Sequence, residues 1–172
     1  MNGFASYVKE GERLDDLQLN GLYIIQNPSH FCFGGDSVGL ADFASVKAGE
    51  TVADLCTGSG VIPILLSAKT RARSFVGIEI ITEVAEMARR SVLMNGLGDR
   101  IEIINDDIKN APDMFKNGAF DVVTANPPYH RGGLRSPGIA KASAKHEISC
   151  QLPQLISVSA ALLKNGGRLY VS

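Results

Sequence analysis

The sequence predicts an α/β fold: a mostly parallel sheet with helices on both faces, and an N-terminal β-hairpin as an appendage. Three observations carry that prediction. From residue 51 onward, short apolar runs of strand length alternate with longer runs of helical periodicity. Such alternation builds a parallel sheet, because each return crossing needs a connecting helix. A glycine-rich loop, "DLCTGSG" (54–60), joins the first of those strands to the first of those helices. Ahead of the alternation, "DLQLNGLYIIQ" (16–26) sets Asn20-Gly21 between two apolar-rich runs, a strong short-range hairpin signal because both residues tolerate positive φ.

The elements follow in order. "DSVGLADFASV" (36–46) reads as a helix with Asp36 as its N-cap, since an Asp side chain accepts from an unpaired first-turn N–H. "TVADL" (51–55) is a strand, and "VIPILLSAK" (61–69) is a helix whose Pro63 suits a first turn, where no N–H is needed. "SFVGIEI" (74–80) is a strand, and "TEVAEMARRSVLMNG" (82–96) is a helix capped by Thr82 and stopped by Gly96. "IEII" (101–104) and "FDVVTA" (120–125) are strands with a short helix between them. A helix over roughly 150–163 leads into a last strand, "GRLYVS" (167–172). A parallel sheet stopping there has a flat apolar edge, which natural sheets cover or pair. The fold is therefore expected to be truncated after strand five, with a further segment or another surface over that edge.

The 172 residues have the length of one domain, with 1–35 as the appendage and 36–172 as the core. No apolar run approaches transmembrane length, and the polar N-terminus "MNGFASYVKEGERLDD" lacks a signal core, so no membrane partner is expected. Cys32, Cys56 and Cys150 are odd in number and widely scattered. They read as thiols of a reducing, cytoplasmic compartment and not as a disulfide framework or a zinc site, and no metal is expected. A net charge of −1 excludes a uniformly basic nucleic-acid binder but allows a local basic patch.

In a sheet of this kind, the loop after the first strand lies at the carboxyl ends of the strands, where ligands bind. Gly58 and Gly60 let the backbone turn tightly and approach a ligand. Pro63 stands where the dinucleotide fingerprint needs a third small residue, which opposes a nicotinamide oxidoreductase. Glu79 ends the second strand of the alternation, 21 residues past Gly58. A carboxylate there accepts from both ribose hydroxyls of a nucleoside. The plain alternative is a pair of turn glycines and a solvated glutamate. "INDDIKN" (104–110) ends the third strand with two acids. Asp107 is chosen over Asp106 to hold an adenine amino group, because Ile108 follows it and can pack on the ring. A helix N-cap is the alternative role, and the two can coexist.

The apolar run "AFDVVT" stops at "NPPY" (126–129). Proline has no ladder donor, so the strand must end at Asn126 and hand over to a rigid elbow. That elbow suits methyl transfer from a sulfonium to an amino group on a planar base. The nitrogen lone pair is delocalised into the ring and is a poor nucleophile. The side-chain carbonyl of Asn126 and the main-chain carbonyl of Pro127 can accept the two amino hydrogens and redirect that lone pair; the prolines fix the direction in advance. Tyr129 offers a face on which the base stacks. The plain alternative is a strand terminator with a buried Tyr. Beyond the elbow, Arg131, Arg135, Lys141 and Lys145 stand with no acid between His130 and His146. They can hold RNA phosphates, or form a solvated loop that orders on RNA. His146 and Glu147 read as capping or packing residues. A cofactor- or RNA-binding module without catalysis is opposed by Asn126, whose carbonyl such a module does not need.

"DLCTGSG", "GIEI", "DDI" and "NPPY", in this order, resemble the class I S-adenosylmethionine-dependent amino-methyltransferases, with their Rossmann-like fold. "ERLDDLQLNGLYIIQNPSHFCFGGDSVGLADF" (12–43) and "AKHEI" (144–148) narrow the resemblance to the small bacterial enzymes that modify N6 of adenine beside the anticodon of valine tRNA. The likeness spans nearly the whole chain. It implies S-adenosylmethionine as cofactor and tRNA as partner. Phe33 and Asp36 of "FGGD" would lie at the methionine end of the cofactor. Asp54, Cys56, Thr57, Gly58 and Gly60 would form its loop, Glu79 and Ile80 its ribose side, Asp107 and Ile108 its adenine side, and Asn126 the reacting end. Asn126, Pro127 and Tyr129 would be catalytic, and Pro128, Tyr129 and the four cations would bind substrate. Cys56 departs from the glycine more usual there, with little harm expected from so small a side chain. Against that family the chain is expected to be without the antiparallel strand pair that related enzymes carry after the fifth strand. Release-factor glutamine-N5 methyltransferases resemble residues 50–129 but usually carry a helical N-terminal domain where this chain has a hairpin. Guanine-N2 rRNA methyltransferases usually have Phe where Tyr129 stands.

Overall fold

The computed structural model describes residues 3–127 and 151–172. A 3-10 turn (Ala5–Tyr7) precedes the hairpin, in which β1 (Arg13–Asp16) pairs antiparallel with β2 (Tyr23–Gln26). Asn20 and Gly21 hold φ of 51° and 71°, and the Leu22 N–H closes on Leu19 O at 2.9 Å. This is the positive-φ turn that an Asn-Gly pair favours.

There follow α1 (Gly35–Phe43), β3 (Thr51–Leu55), α2 (Val61–Lys69), β4 (Ser74–Glu79), α3 (Thr82–Met94) and β5 (Ile101–Asn105). A 3-10 turn (Ile108–Asn110) runs into α4 (Ala111–Met114), and β6 (Phe120–Ala125), α5 (Leu152–Leu162) and β7 (Leu163–Val171) complete the described elements. Five strands form a parallel sheet in the order β5-β4-β3-β6-β7, a Rossmann-like arrangement. The chain steps outward from β3 to β5, then returns to place β6 on the other side of β3. That reversal opens a crevice between the carboxyl ends of β3 and β6, where ligands of such sheets bind.

Alternate strand residues feed two cores. Val52, Phe75, Ile103 and Val122 pack with α1, α2 and α3, whereas Ala53, Leu55, Ile78 and Val123 pack with α5 and the turn at Ile108. The hairpin makes a third cluster, with Ile25 against Val84, Met87 and Met94 of α3. It is also fastened by polar groups. The Ile25 N–H donates to Ser91 Oγ and the Tyr23 N–H to Asn95 Oδ1, each at 3.0 Å. Arg90 of α3 donates to both carboxylate oxygens of Glu12 at 2.6 Å, to both of Glu86 at 2.9 Å, and to Tyr7 O.

Some boundaries differ from the sequence expectation. Gly34, not Asp36, is the N-cap of α1; Asp36 sits exposed in the first turn, where its charge still suits the helix N-terminus. That helix ends at Phe43, because Ala44 turns extended. The cap of α3 is Ile81, not Thr82, since the Ile81 N–H donates to Glu79 Oε1 and holds the backbone one residue earlier. Gly96 stops α3 as expected, at φ 67°, with the Leu97 N–H on Val92 O and the Gly96 N–H on Leu93 O. β7 begins at Leu163, paired with Phe120, and then shifts register so that Arg168 pairs with Val122. Gly166, at φ 76°, lets the intervening residues loop out. Among the described residues, no helix is long and apolar enough to cross a membrane.

Candidate active site

The glycine loop leaves β3 through an unusual backbone. Cys56, Gly58 and Gly60 hold φ of 58°, 57° and 83°. The difficulty at Cys56 is therefore conformation and not size, for any L side chain is disfavoured at that φ; the small-residue expectation is corrected on this point. Among the described residues, a Cβ added to Gly58 would meet nothing within 4 Å, so the loop presents open backbone to the crevice. Gly34 and Gly35, ahead of α1, are open in the same way. Gly77 is different: a Cβ there would stand 2.8 Å from both Thr57 Oγ1 and Thr57 Cγ2. Thr57 thus lies across β4 at a strand position that admits only glycine. Sequence reasoning missed Gly77; the signal available was a glycine inside a strand.

Beneath the loop lies Asp54, 1% exposed. Its Oδ2 accepts from Thr57 Oγ1 and its Oδ1 from Thr124 Oγ1, both at 2.6 Å. Burial pushes this carboxyl up to about 7, against the pull of the two hydroxyls. Its side chain is committed to joining the glycine loop to β6. Thr124, two residues before the elbow, was not among the expected site residues.

Glu79, 7% exposed, ends β4 beside the loop. Its Oε2 accepts from the Gly58 N–H and its Oε1 from the Ile81 N–H, each at 2.9 Å. Each oxygen keeps a lone pair for a further donor. Burial drives the carboxyl upward; the N–H groups of Ile81, Gly58 and Ile80 and the charge of His30 oppose it. Asn105 fixes the backbone behind, donating from Nδ2 to Glu79 O at 2.9 Å and Ile80 O at 3.1 Å. Ile80 is half-buried at this corner. Asp107 caps the adjoining 3-10 turn, its Oδ1 accepting from the Lys109 N–H at 3.0 Å, and Ile108 is buried against the sheet. The capping role is realised, and the carboxylate is half-buried at the rim of the site. The open loop and the anchored Glu79 carboxylate, with acceptor capacity left on both oxygens, fit the hydroxyl groups of a nucleoside.

Asn126 stands at the end of β6, across the crevice from the loop, with Pro127 buried behind it. Asn126 Nδ2 donates to Ser37 Oγ, in the first turn of α1, at 2.8 Å. Phe33 is half-buried against the core under α1, and its N–H donates to Oε1 of buried Gln26 at 2.8 Å. Pro128, Tyr129, Arg131, Arg135, Lys141 and Lys145 lie outside the described residues. Among the described residues, no group of three or more His, Cys, Asp or Glu is placed to hold a metal ion.

A family model described as methyltransferase small domain matches residues 35–172. Among curated proteins, the chain is similar to the tRNA1(Val) (adenine(37)-N6)-methyltransferase of Porphyromonas gingivalis, 31% identical over 142 residues, which is 79% of this chain and 56% of that protein. The chain thus spans little more than half the length of the curated relatives it matches. Among solved structures it is similar to a precorrin 8W decarboxylase from Methanobacterium thermoautotrophicum, with a TM-score of 0.62 and 19% identity over 86% of this chain and 68% of that one. It is also similar to an S-adenosylmethionine-dependent methyltransferase from Thiobacillus denitrificans in complex with S-adenosylhomocysteine, with a TM-score of 0.57 and 18% identity over 81% and 48%. At these identities the two structures speak for the fold.

Proposed function

The chain belongs to the methyltransferase small domain family, and we propose that it acts, in the cytoplasm, as an S-adenosylmethionine-dependent methyltransferase on the exocyclic N6 amino group of an adenine in tRNA, beside the anticodon of valine tRNA. The observation that carries this reading is the position of Asn126. Asp54 pairs in register with Thr124 and hydrogen-bonds both Thr124 and Thr57, so the glycine loop and the elbow belong to one framework. The tRNA1(Val) (adenine(37)-N6)-methyltransferase activity named for the Porphyromonas gingivalis relative supports the tRNA substrate.

S-adenosylmethionine, when bound, supplies an electrophilic methyl group on a sulfonium. Glu79 would take the ribose hydroxyls on its remaining lone pairs, Gly58 would let the backbone approach, and Asp107 and Ile108 would hold the adenine. Phe33 and Asp36 would lie at the methionine end. Asn126 Oδ1 and Pro127 O accept the two hydrogens of the target amino group and aim its lone pair. Pro128 and Tyr129 would bind the target base, Tyr129 by stacking worth about 1–3 kcal/mol. No strong general base is assigned, because a methylated ammonium is acidic enough to lose its proton to solvent. Arg131, Arg135, Lys141 and Lys145 engage phosphates.

The test is single-turnover methylation of unmodified tRNA, with mass mapping of the product and a salt titration of binding. Asn126→Ala should lower turnover by about 100-fold while tRNA affinity is kept. Glu79→Gln should weaken cofactor binding about 10-fold. Neutralising the four cations should flatten the log–log salt slope by about 3. Normal turnover by Asn126→Ala would reduce the elbow to a strand terminator. An unchanged salt slope, with methyl transfer to a glutamine peptide instead of tRNA, would replace the RNA reading by the protein-glutamine one.

A further inference from the structure

We infer that Ser37 is a positioning residue that orients the carboxamide of Asn126 for its part in methyl transfer. This rests on the proposed role of Asn126 and adds a second residue, from a different part of the chain, to the reacting end of the site. A carboxamide has two unlike ends. An amino group being methylated needs an acceptor, and the amide N–H groups turned toward it would set donor against donor. Rotation by half a turn about the side chain's last bond exchanges the two ends, so a productive Asn must be held from behind. In this structure Asn126 Nδ2 donates to Ser37 Oγ at 2.8 Å, the orientation that leaves the carbonyl end for the substrate.

Ser37 is itself held. It is 4% exposed, in the first turn of α1, with its neighbours Leu40 and Ala41 in the core under α2. The segment leading to it is tied to the hairpin: Gln26, 2% exposed, accepts the Phe33 N–H at 2.8 Å through Oε1 and donates to Asp15 through Nε2. The contact joins residues 89 apart in sequence. The hairpin and α1 are thereby linked to the elbow through Gln26, Phe33 and Ser37. A displacement of the reacting group by a fraction of its contact distance is costly in rate, which is why a hydrogen bond made outside the substrate pocket can act on turnover.

The experiment compares two pairs matched in shape, wild type with Ser37→Ala and Ser37→Thr with Ser37→Val. Each is measured for the single-turnover rate constant on tRNA at saturating concentrations, for cofactor affinity, and for the Asn126 side-chain amide signals in a ¹H–¹⁵N spectrum. Those signals are assigned by their loss in Asn126→Ala. The hydroxyl-free member of each pair should be slower by about 10-fold. Cofactor affinity should stay within about 2-fold, and Ser37→Thr should keep most of the wild-type rate. The amide signals should move toward solvent-exposed positions in Ser37→Ala and Ser37→Val only. Equal rates within both pairs would overturn the inference, as would a loss of cofactor affinity that accounts for the whole effect. If Asn126→Ala is inactive while the hydroxyl-free variants run at full rate, the positioning role alone fails. If Asn126→Ala is fully active, the elbow reading fails first.

Discussion

Replacing Asp54 by Asn should stabilise the fold above neutral pH and remove much of a slope that the wild-type chain shows between about pH 5 and about pH 8. The carboxyl is 1% exposed, and burial raises it from 3.8 to about 7 against two hydroxyl hydrogen bonds. The folded chain therefore binds this proton more tightly than the unfolded chain. Its stabilising contribution is complete below the unfolded value and is lost as pH rises through the folded one. A rise of about 3 units at about 1.4 kcal/mol each makes on the order of 4 kcal/mol in all, more than half of it between about pH 5 and about pH 8. Glu79 is shifted in the same direction by burial, so the wild-type slope contains both groups and Asp54→Asn removes one share. The substitution preserves shape. Asn keeps one acceptor, and its NH₂ can donate to whichever of the Thr57 and Thr124 hydroxyls turns to accept. The assay is urea unfolding of both chains across this range at fixed ionic strength. Parallel curves, with the Asn variant less stable at every pH, would mean that Asp54 is ionised throughout and that the two hydroxyls outweigh burial.

At position 56, Gly should be more stable than Ala by about 0.5–1 kcal/mol, because the left-handed penalty of about 1–2 kcal/mol on an L residue exceeds the unfolded-chain entropy that Gly restores. Urea unfolding of Cys56→Gly and Cys56→Ala reads this directly, and an order of Ala above Gly would show that the loop does not hold φ near 58°. Glu12→Gln should loosen the hairpin at a cost of about 2 kcal/mol, less than for a fully buried pair because Glu86 still faces Arg90. The hydrogen bond from Arg90 holds Glu12 below the ordinary carboxylate range, so the contact's contribution is present above the unfolded value and is lost as pH falls through the lowered one. Proteolytic nicking within residues 3–26 should accordingly rise in the variant at neutral pH and in wild type only in acid; equal nicking at neutral pH would show that the Arg90–Glu12 pair does not hold the hairpin.

The strands and helices of the sheet were legible because each is a local signal: a short apolar run, a helical period, a turn pair such as Asn20-Gly21. Glu79 was legible for the same reason, as an acid at a strand end at a set spacing from Gly58. Caps were less so. Thr82 has the chemistry of an N-cap, yet the carboxylate of Glu79 holds the Ile81 N–H and moves the cap position, a competition that propensity does not contain. The start of β7 was missed because Leu163 pairs with Phe120 only after Gly166 has looped the intervening residues aside.

What local signals could not announce is the wiring between the pieces. Asp54 reads as one acid of a loop motif, but its partners are Thr57, three residues on, and Thr124, seventy residues on. Ser37 reads as a helix residue, and its partner is Asn126. Gly77 reads as an ordinary strand glycine until Thr57 is seen to occupy the place of its side chain. Apart from the local Asp54–Thr57 bond, each of these contacts joins the glycine loop or the end of β6 to an element made elsewhere in the chain. The residues with recognisable chemistry sit at the carboxyl ends of β3, β4 and β6, as the strand order dictates. Their mutual placement is set by small polar residues, Thr57, Thr124 and Ser37, whose identity a sequence explains only once the strands have been paired. The serine in the first turn of α1 is the residue that meets Asn126, although the exposed Asp36 beside it is the one that a reading of the sequence selects.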